Sequence, residues 1–199
     1  MARTVLAGAV KPWTIPALAA LCALGACTPV APQASAAVTP ETLACSGDLS
    51  GASTALQNQY PSFKQRIETG PLYRTLVLRI GPPYDCQRTS ASGALHLSYS
   101  FAKGATLTAQ IDPRIEFFEQ RLDFVAFTEQ EAKALLQEEE KHAFGTKGCG
   151  IAWQESDAEE TPISDGAREV IYRGDVCNCQ ARILSKGGKV SAMILRSAC

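Results

Sequence analysis

The cysteines constrain this fold more than any other feature of the sequence. The chain holds eight cysteines in 199 residues, more than a protein kept in a reducing cytosol usually carries. Two of them lie in an apolar N-terminal segment, and an even number of cysteines in the rest of an exported chain predicts disulfides whose pairing the sequence leaves open. The remaining six cysteines, for which we predict three disulfides, are Cys45, Cys86, Cys149, Cys177, Cys179 and Cys199.

Geometry narrows the possible pairings without fixing them. Cys177 and Cys179 fall on one side of a predicted strand with Cα atoms about 6.6 Å apart, which is near the upper limit for a disulfide. We therefore expect them to pair with different partners, and Cys149, just after a predicted helix, is a good candidate for one of them. Cys199 falls on the opposite face of the predicted sheet, which disfavours a bridge between Cys177 and Cys199.

The pair of Cys177 and Cys179 also permits a different chemistry. Two thiolates in a C-x-C sequence can bind Cu(I) or zinc, so a thiol-redox or metal-handling protein is the alternative function. Zinc prefers four ligands, and the sequence offers only His96 and His142 as imidazoles. We expect both histidines at the surface, and we predict disulfides with no metal and no cofactor.

The N-terminal segment predicts export. Arg3 and Lys11 precede an apolar run at residues 13–26, which has the length of a signal-peptide core and is too short to span a bilayer comfortably. The small residues Gly25 and Ala26 then precede Cys27. A plain secretory signal cut after the A-x-A-like site at residues 34–36 is the alternative.

The order Leu24-Gly25-Ala26-Cys27 resembles the lipobox of bacterial lipoproteins. The resemblance covers only the N-terminal segment and implies that residues 1–26 are removed as a signal peptide. It also implies that Cys27 carries the lipid, so that the protein is held at a membrane by acyl chains. Thr28, where an aspartate would favour the inner membrane, implies the outer membrane of a Gram-negative cell, facing the periplasm.

The rest of the chain is predicted to be a tether followed by one domain. Residues 27–39 are rich in Pro, Ala and Ser, which is typical of a flexible tether, and residues 40–199 are enough for a single domain with a real core. The formal net charge of −1 gives no reason to expect nucleic acid as a partner. We expect no spanning helix in the mature protein.

The mature part predicts an α+β fold with one main packing helix and an antiparallel sheet. Thr128 and Glu131 have the spacing of a capping box, and Gly145 suits the end of the helix. Glu140 belongs to a charged set that we expect on the solvated face. Shorter helices are expected from Pro40 and over residues 53–60.

Strands are predicted where apolar residues alternate. Residues 94–101 and 105–111 predict a hairpin with a three-residue loop that places Gly104 in a left-handed conformation. The aromatic content of residues 114–127 favours another strand. Residues 73–80 and 150–153 are further candidates.

The C-terminal third predicts a three-stranded meander. A two-residue turn at residues 174–175 and a second turn at residues 187–188 would join its strands. On a regular register Ala192 and Ile194 share the apolar face, whereas Met193 and Leu195 fall on the other.

No catalytic motif accompanies this fold. The sequence has no G-x-S-x-G, P-loop or G-x-G-x-x-G, so we expect no enzyme, although a hydrolase using His96 or His142 is a rival hypothesis. Because a lipid anchor concentrates a domain near its neighbours, we predict a non-catalytic binding, assembly or inhibitory module with a protein partner at the envelope.

Overall fold

The computed structural model describes residues 43–199, apart from the side chain of Val125. In this part of the chain there are three α-helices, α1 (Thr54–Thr69), α2 (Pro71–Ile80) and α3 (Glu129–Phe144). Eight strands form one antiparallel sheet. The strands are β1 (Asp85–Ala91), β2 (Ala94–Ser100), β3 (Thr106–Asp112), β4 (Phe117–Phe127), β5 (Glu159–Pro162), β6 (Ala167–Arg173), β7 (Gln180–Lys186) and β8 (Lys189–Ala198). The predicted α+β class with a C-terminal meander and disulfides is confirmed.

The sheet consists of two four-stranded meanders that meet in the middle. Its strand order is β1-β2-β3-β4-β8-β7-β6-β5, so β4 from the first meander pairs with β8 from the second. Helices precede each meander, α1 and α2 before the first and α3 before the second. The topology therefore repeats, with helix followed by four strands on each side of the central pair.

All three helices contribute to one core on one face of the sheet. The helices bury Phe63, Leu76 and Leu136 against strand residues such as Leu107 and Met193, which are fully buried. On the opposite face, which we call the open face, the first three strands carry mostly serine, threonine and glutamine. Alternation along each strand separates these two sets because successive side chains point to opposite faces.

Helix α3 and the hairpin of β2 and β3 form as their local sequence signals predict. Thr128 Oγ1 accepts the N–H of Glu131 at 3.2 Å, and Glu131 accepts the N–H of Thr128 at 2.8 Å, which completes the capping box. In the hairpin Tyr99 lies opposite Leu107. Gly104, in the connecting loop, has a φ of +73°.

The prediction of a strand over residues 73–80 is wrong, because this segment forms α2. Its β-branched residues favoured a strand, but Gly70 and Pro71 start a helix, and Pro at the first helical position is well tolerated. Leu72 and Leu76 are four residues apart and both buried, which is the helical spacing. The first helix is also longer than predicted, because Phe63 and Ile67 bury its continuation beyond Pro61.

A β-bulge overturns the predicted face of the last strand. Ser185 pairs with Val190 and Leu184 pairs with Ala192, so Ser191 is an extra residue in the ladder. A bulge shifts the alternation by one residue. Met193 and Leu195 consequently enter the core, whereas Ala192 and Ile194 lie on the open face.

Two further predictions are wrong, the strand at residues 150–153 and the two-residue turn at residues 174–175. Residues 150–153 do not form a strand, since Ile151 makes only a single bridge to Gly174. The connection between β6 and β7 is a six-residue loop, not a two-residue turn, because β7 begins only at Gln180. The turn predicted at residues 187–188 is present, and both of its glycines have positive φ.

Several predictions lie outside the described residues. They are the signal peptide 1–26, the tether 27–39, lipidation of Cys27 and the start of a helix at Pro40. Within residues 43–199, no helix combines the length and the apolar character needed to cross a membrane.

Replacing Thr128 by Ala should destabilise the domain by about 1 kcal/mol, because one N–H at the start of α3 loses its acceptor. Urea unfolding monitored by circular dichroism measures the change. Thr146→Ala is the matched control, since Thr146 is exposed in the loop after α3. Equal effects of the two substitutions would contradict the capping role.

Candidate functional site

The structure joins six cysteines in three disulfides. Cys45 pairs with Cys86, Cys149 with Cys179, and Cys177 with Cys199. Cys177 and Cys179 thus have different partners, as expected, and Cys149 is one of them. The prediction that disfavoured Cys177–Cys199 is wrong for two reasons: Cys177 lies in a loop before β7 and not on a strand face, and the bulge in β8 shifts the alternation of the residues that lead to Cys199.

The second and third disulfides fix the loop between β6 and β7, which we call the locked loop (residues 174–179). Gly174 N–H donates to Cys179 O at 2.7 Å, and Cys179 N–H donates to Val176 O at 3.0 Å. Ala198 N–H donates to Cys177 O at 2.8 Å and joins the loop to the end of β8. Cys177 and Asn178 have φ values of +55° and +46°, a region that non-glycine residues rarely occupy.

The loop between β3 and β4 is fixed at the same end of the sheet. The Arg114 guanidinium donates to both carboxylate oxygens of Asp112, at 3.0 and 2.7 Å, and to the carbonyl of Ser92 in the turn between β1 and β2. These hydrogen bonds from Arg114 lower the pKa of Asp112. Ser92 and Glu116 also have positive φ, at +51° and +44°.

We call this end of the sheet the loop end; it comprises the turn 92–93, the loop 113–116 and the locked loop. Pairing of Phe117 with Ala198 places the second and third of these beside each other. Four of the six described non-glycine residues with positive φ lie here. Such conformations persist only where the surroundings hold them, and they concentrate at binding sites.

The loop end exposes two aliphatic side chains. Ile115 is 58% exposed and Val176 is 54% exposed. Beside the locked loop a shallow pocket of about 350 Å³ is lined by Arg173, Asn178 and Arg196, among others. The arrangement combines fixed backbone, apolar side chains and guanidinium groups, which is suited to contacting another protein.

The two histidines lie on different sides of the sheet. His96 is on the open face, where it lines a small pocket with Thr108 and Glu119. His142, near the end of α3 in the helical layer, has its Nε2 2.9 Å from the carbonyl of Arg66. The structure therefore does not bring the two imidazoles together. Within residues 43–199, no three His, Cys, Asp or Glu side chains converge as metal ligands.

Sequence reasoning missed two buried carboxylates on α3, and the expectation that Glu140 is solvated is wrong. Glu140 accepts the N–H of Cys149 at 2.8 Å and the indole N–H of Trp153 at 2.8 Å, so it organises the loop that carries the Cys149–Cys179 disulfide. No local pattern distinguishes Glu140 from the exposed Glu138, since its partners lie beyond the helix.

Glu139 connects α3 to the start of α2. Its side chain is only 1% exposed, and it accepts the N–H of Leu72 at 2.8 Å. Burial raises the pKa of Glu139 to about 7, against a smaller lowering by the Leu72 N–H and by His142. A carboxylate at a helix N-terminus satisfies an otherwise free donor.

Comparison of the chain with models of protein families, with curated proteins and with solved structures finds no match.

Glu139→Gln should remove a pH dependence of stability. Because the pKa of Glu139 rises from 4.5 to about 7 on folding, the folded state binds the extra proton in that window, and stability falls as pH rises through it. The loss is at most about 1.4 kcal/mol per pH unit. Glutamine keeps an oxygen for the Leu72 N–H and carries no charge.

The measurement is the free energy of unfolding of the wild type and the variant between pH 4.5 and 8, with Glu138→Gln as the matched exposed control. The stability of Glu139→Gln relative to wild type should increase with pH and level off above pH 7. A constant difference across this range would contradict the assignment.

Proposed function

We propose that this chain is a lipid-anchored protein of the bacterial envelope that binds another envelope protein, without catalysis, through the loop end. The observation that carries the binding role is the exposure of Val176 on a loop held by two disulfides. The lipobox-like sequence ending in Cys27 supports the location. Assembly and inhibition are both forms of this binding role.

A loop that is ordered before binding loses little conformational entropy when it binds a partner. Ordering a flexible side chain or loop on binding costs about 0.5–1.5 kcal/mol per immobilised side chain, and the disulfides and hydrogen bonds of the locked loop have ordered its backbone beforehand. Burial of a valine or isoleucine side chain contributes about 1.5–3 kcal/mol. Val176 and Ile115 can therefore contribute much of the affinity of a modest interface.

The chemistry of the loop end favours a protein partner. Its arginines are paired with acids, as Arg173 is with Glu159 at 2.8 Å and Arg114 is with Asp112. Such balanced charges add specificity at the rim of an interface, whereas nucleic acid requires excess positive charge. The partner that fits is a protein surface with an apolar depression that receives Val176 or Ile115.

The anchor raises the concentration of the domain near its partner. Acyl chains on Cys27 and a tether of Pro, Ala and Ser would confine the domain to one membrane surface. Confinement favours binding to other envelope proteins even when the intrinsic affinity is modest.

Photo-crosslinking in intact envelopes tests the binding surface. A photoreactive phenylalanine analogue at position 115 or 176 should give the same discrete protein adduct, and the same analogue at Ile163 should not, since Ile163 is exposed at the opposite end of the sheet. The adduct is identified by mass spectrometry and the partner purified. Val176→Asp should then weaken its binding at least tenfold, in line with loss of one buried aliphatic contact of about 1.4 kcal/mol or more.

Ile163→Asp is the matched control and should leave that affinity unchanged. Equal crosslinking from all three positions, or equal weakening by the two aspartates, would assign the partner to another surface.

Cys27→Ser tests the anchor independently. The wild-type chain should appear as a mature form that begins at residue 27 and carries acyl mass, and it should sediment with membranes. The variant should carry no acyl mass and should not be cut before residue 27. A wild-type chain cut after residue 36 without acyl mass would show a plain secretory signal instead.

A further inference from the structure

We propose that the Cys177–Cys199 disulfide is a reduction-sensitive site, opened by dithiols while the other two disulfides remain closed. The inference concerns the chemistry of the isolated chain and does not depend on the proposed partner. Opening this disulfide would remove the covalent tie between the locked loop and the end of β8.

The solvent exposure of the bonded cysteines distinguishes the three disulfides. Cys179 and Cys86 are each 1% exposed and Cys149 is 6% exposed, so two of the bridges have at least one sulfur-bearing residue in the core. Cys45 and Cys177 are both half-buried, but Cys199 is exposed, so among the three disulfides of the described residues the Cys177–Cys199 bridge alone has no buried cysteine. Because exchange requires a thiolate to approach one sulfur of the bridge, the exposed bridge should react first.

Opening this bridge disturbs little of the fold. Cys199 lies beyond the last strand, and the preceding Ala198 is held in the sheet by its pairing with Phe117. Opening the bridge of Cys149 and Cys179 would instead release two core residues. The folded state therefore protects the buried bridge and gives the exposed Cys177–Cys199 bridge little protection.

The backbone conformation at Cys177 also distinguishes this disulfide from the other two. Cys177 and the neighbouring Asn178 both have left-handed φ values, a conformation that costs energy for residues with a Cβ. Closure of the bridge helps to hold them there, and reduction lets them relax. Strained and exposed disulfides are the more readily reduced class.

The length of chain that each disulfide closes does not account for the expected order of reduction. The residues joined are 41, 30 and 22 positions apart, so the three spans differ by less than one doubling. The entropy of closing a loop varies only slowly with its length. Access and backbone conformation therefore decide which bridge opens.

The reaction is a two-electron transfer from a dithiol of the Cys-x-x-Cys type. One thiolate of the reductant attacks Sγ of Cys199, the bond between the two protein sulfurs breaks, and its electron pair leaves on Sγ of Cys177, which then takes a proton. The second thiol of the reductant attacks the mixed disulfide and releases Cys199. The protein gains two thiols and the reductant becomes a disulfide.

Reduction would alter the loop end selectively. The locked loop would keep its bridge from Cys179 to Cys149 and lose its covalent tie to β8, so Val176 would no longer be held in one conformation. If the proposed function is correct, reduction weakens partner binding, and this last step alone rests on that function.

Dithiothreitol serves as the dithiol in the test. Full-length protein carrying Cys22→Ser and Cys27→Ser is oxidised, purified in detergent, exposed to dithiothreitol and quenched with N-ethylmaleimide at successive times. Peptide mass mapping then gives the rate at which each pair becomes alkylated. Cys177 and Cys199 should be alkylated together, at least about tenfold faster than the other four cysteines. A smaller advantage, or earlier alkylation of another pair, overturns the proposal.

Asn178→Gly tests the backbone contribution in the same assay. Glycine adopts positive φ readily, so the variant should lose Cys177–Cys199 more slowly than the parent protein, with the other two rates unchanged. Ser92→Gly removes a left-handed side chain at the same end of the sheet but away from the bridge, and it should change none of the rates. An unchanged rate in Asn178→Gly overturns the contribution of strain.

Discussion

The pairing of β4 with β8 is the interaction on which the rest of the structure depends. These strands come from different halves of the chain, and their ladder from Phe117 to Phe127 joins two meanders into one sheet. Without it each meander would present an unpaired edge and a half-covered core. Leu122 and Met193, opposite each other in this ladder, are both fully buried beneath the helices.

The same pairing creates the candidate site. Because β4 and β8 are antiparallel neighbours, the loop before β4 and the end of β8 lie at one end of the sheet, and the Cys177–Cys199 disulfide brings the locked loop to them. The site therefore draws on residues from distant parts of the sequence. Its rigidity is a property of the sheet's end and of the crosslinks, not of any single loop.

Two acidic side chains of α3 lie inside the helical layer and connect it to other parts of the fold. Glu139 links α3 to the start of α2, and Glu140 links α3 to the loop that carries Cys149. Both carboxylates accept backbone N–H groups that would otherwise be buried without an acceptor, which is the condition under which burial of a carboxylate is tolerated. Helix α3 thus connects the first meander's helices to the second meander's disulfide.

The sequence by itself determined the elements whose causes are local. The capping box at Thr128, the hairpin around Gly104 and the turn at residues 187–188 depend on residues a few positions apart, and all three are present. Tertiary structure decided what local patterns cannot express: the burial of Glu140, the left-handed conformation of the loop at Cys177, and the bulge at Ser191 that shifts the face on which the end of β8 lies. These depend on contacts between residues far apart in the chain, where packing and hydrogen bonding in the assembled sheet outweigh the weak preferences of single segments.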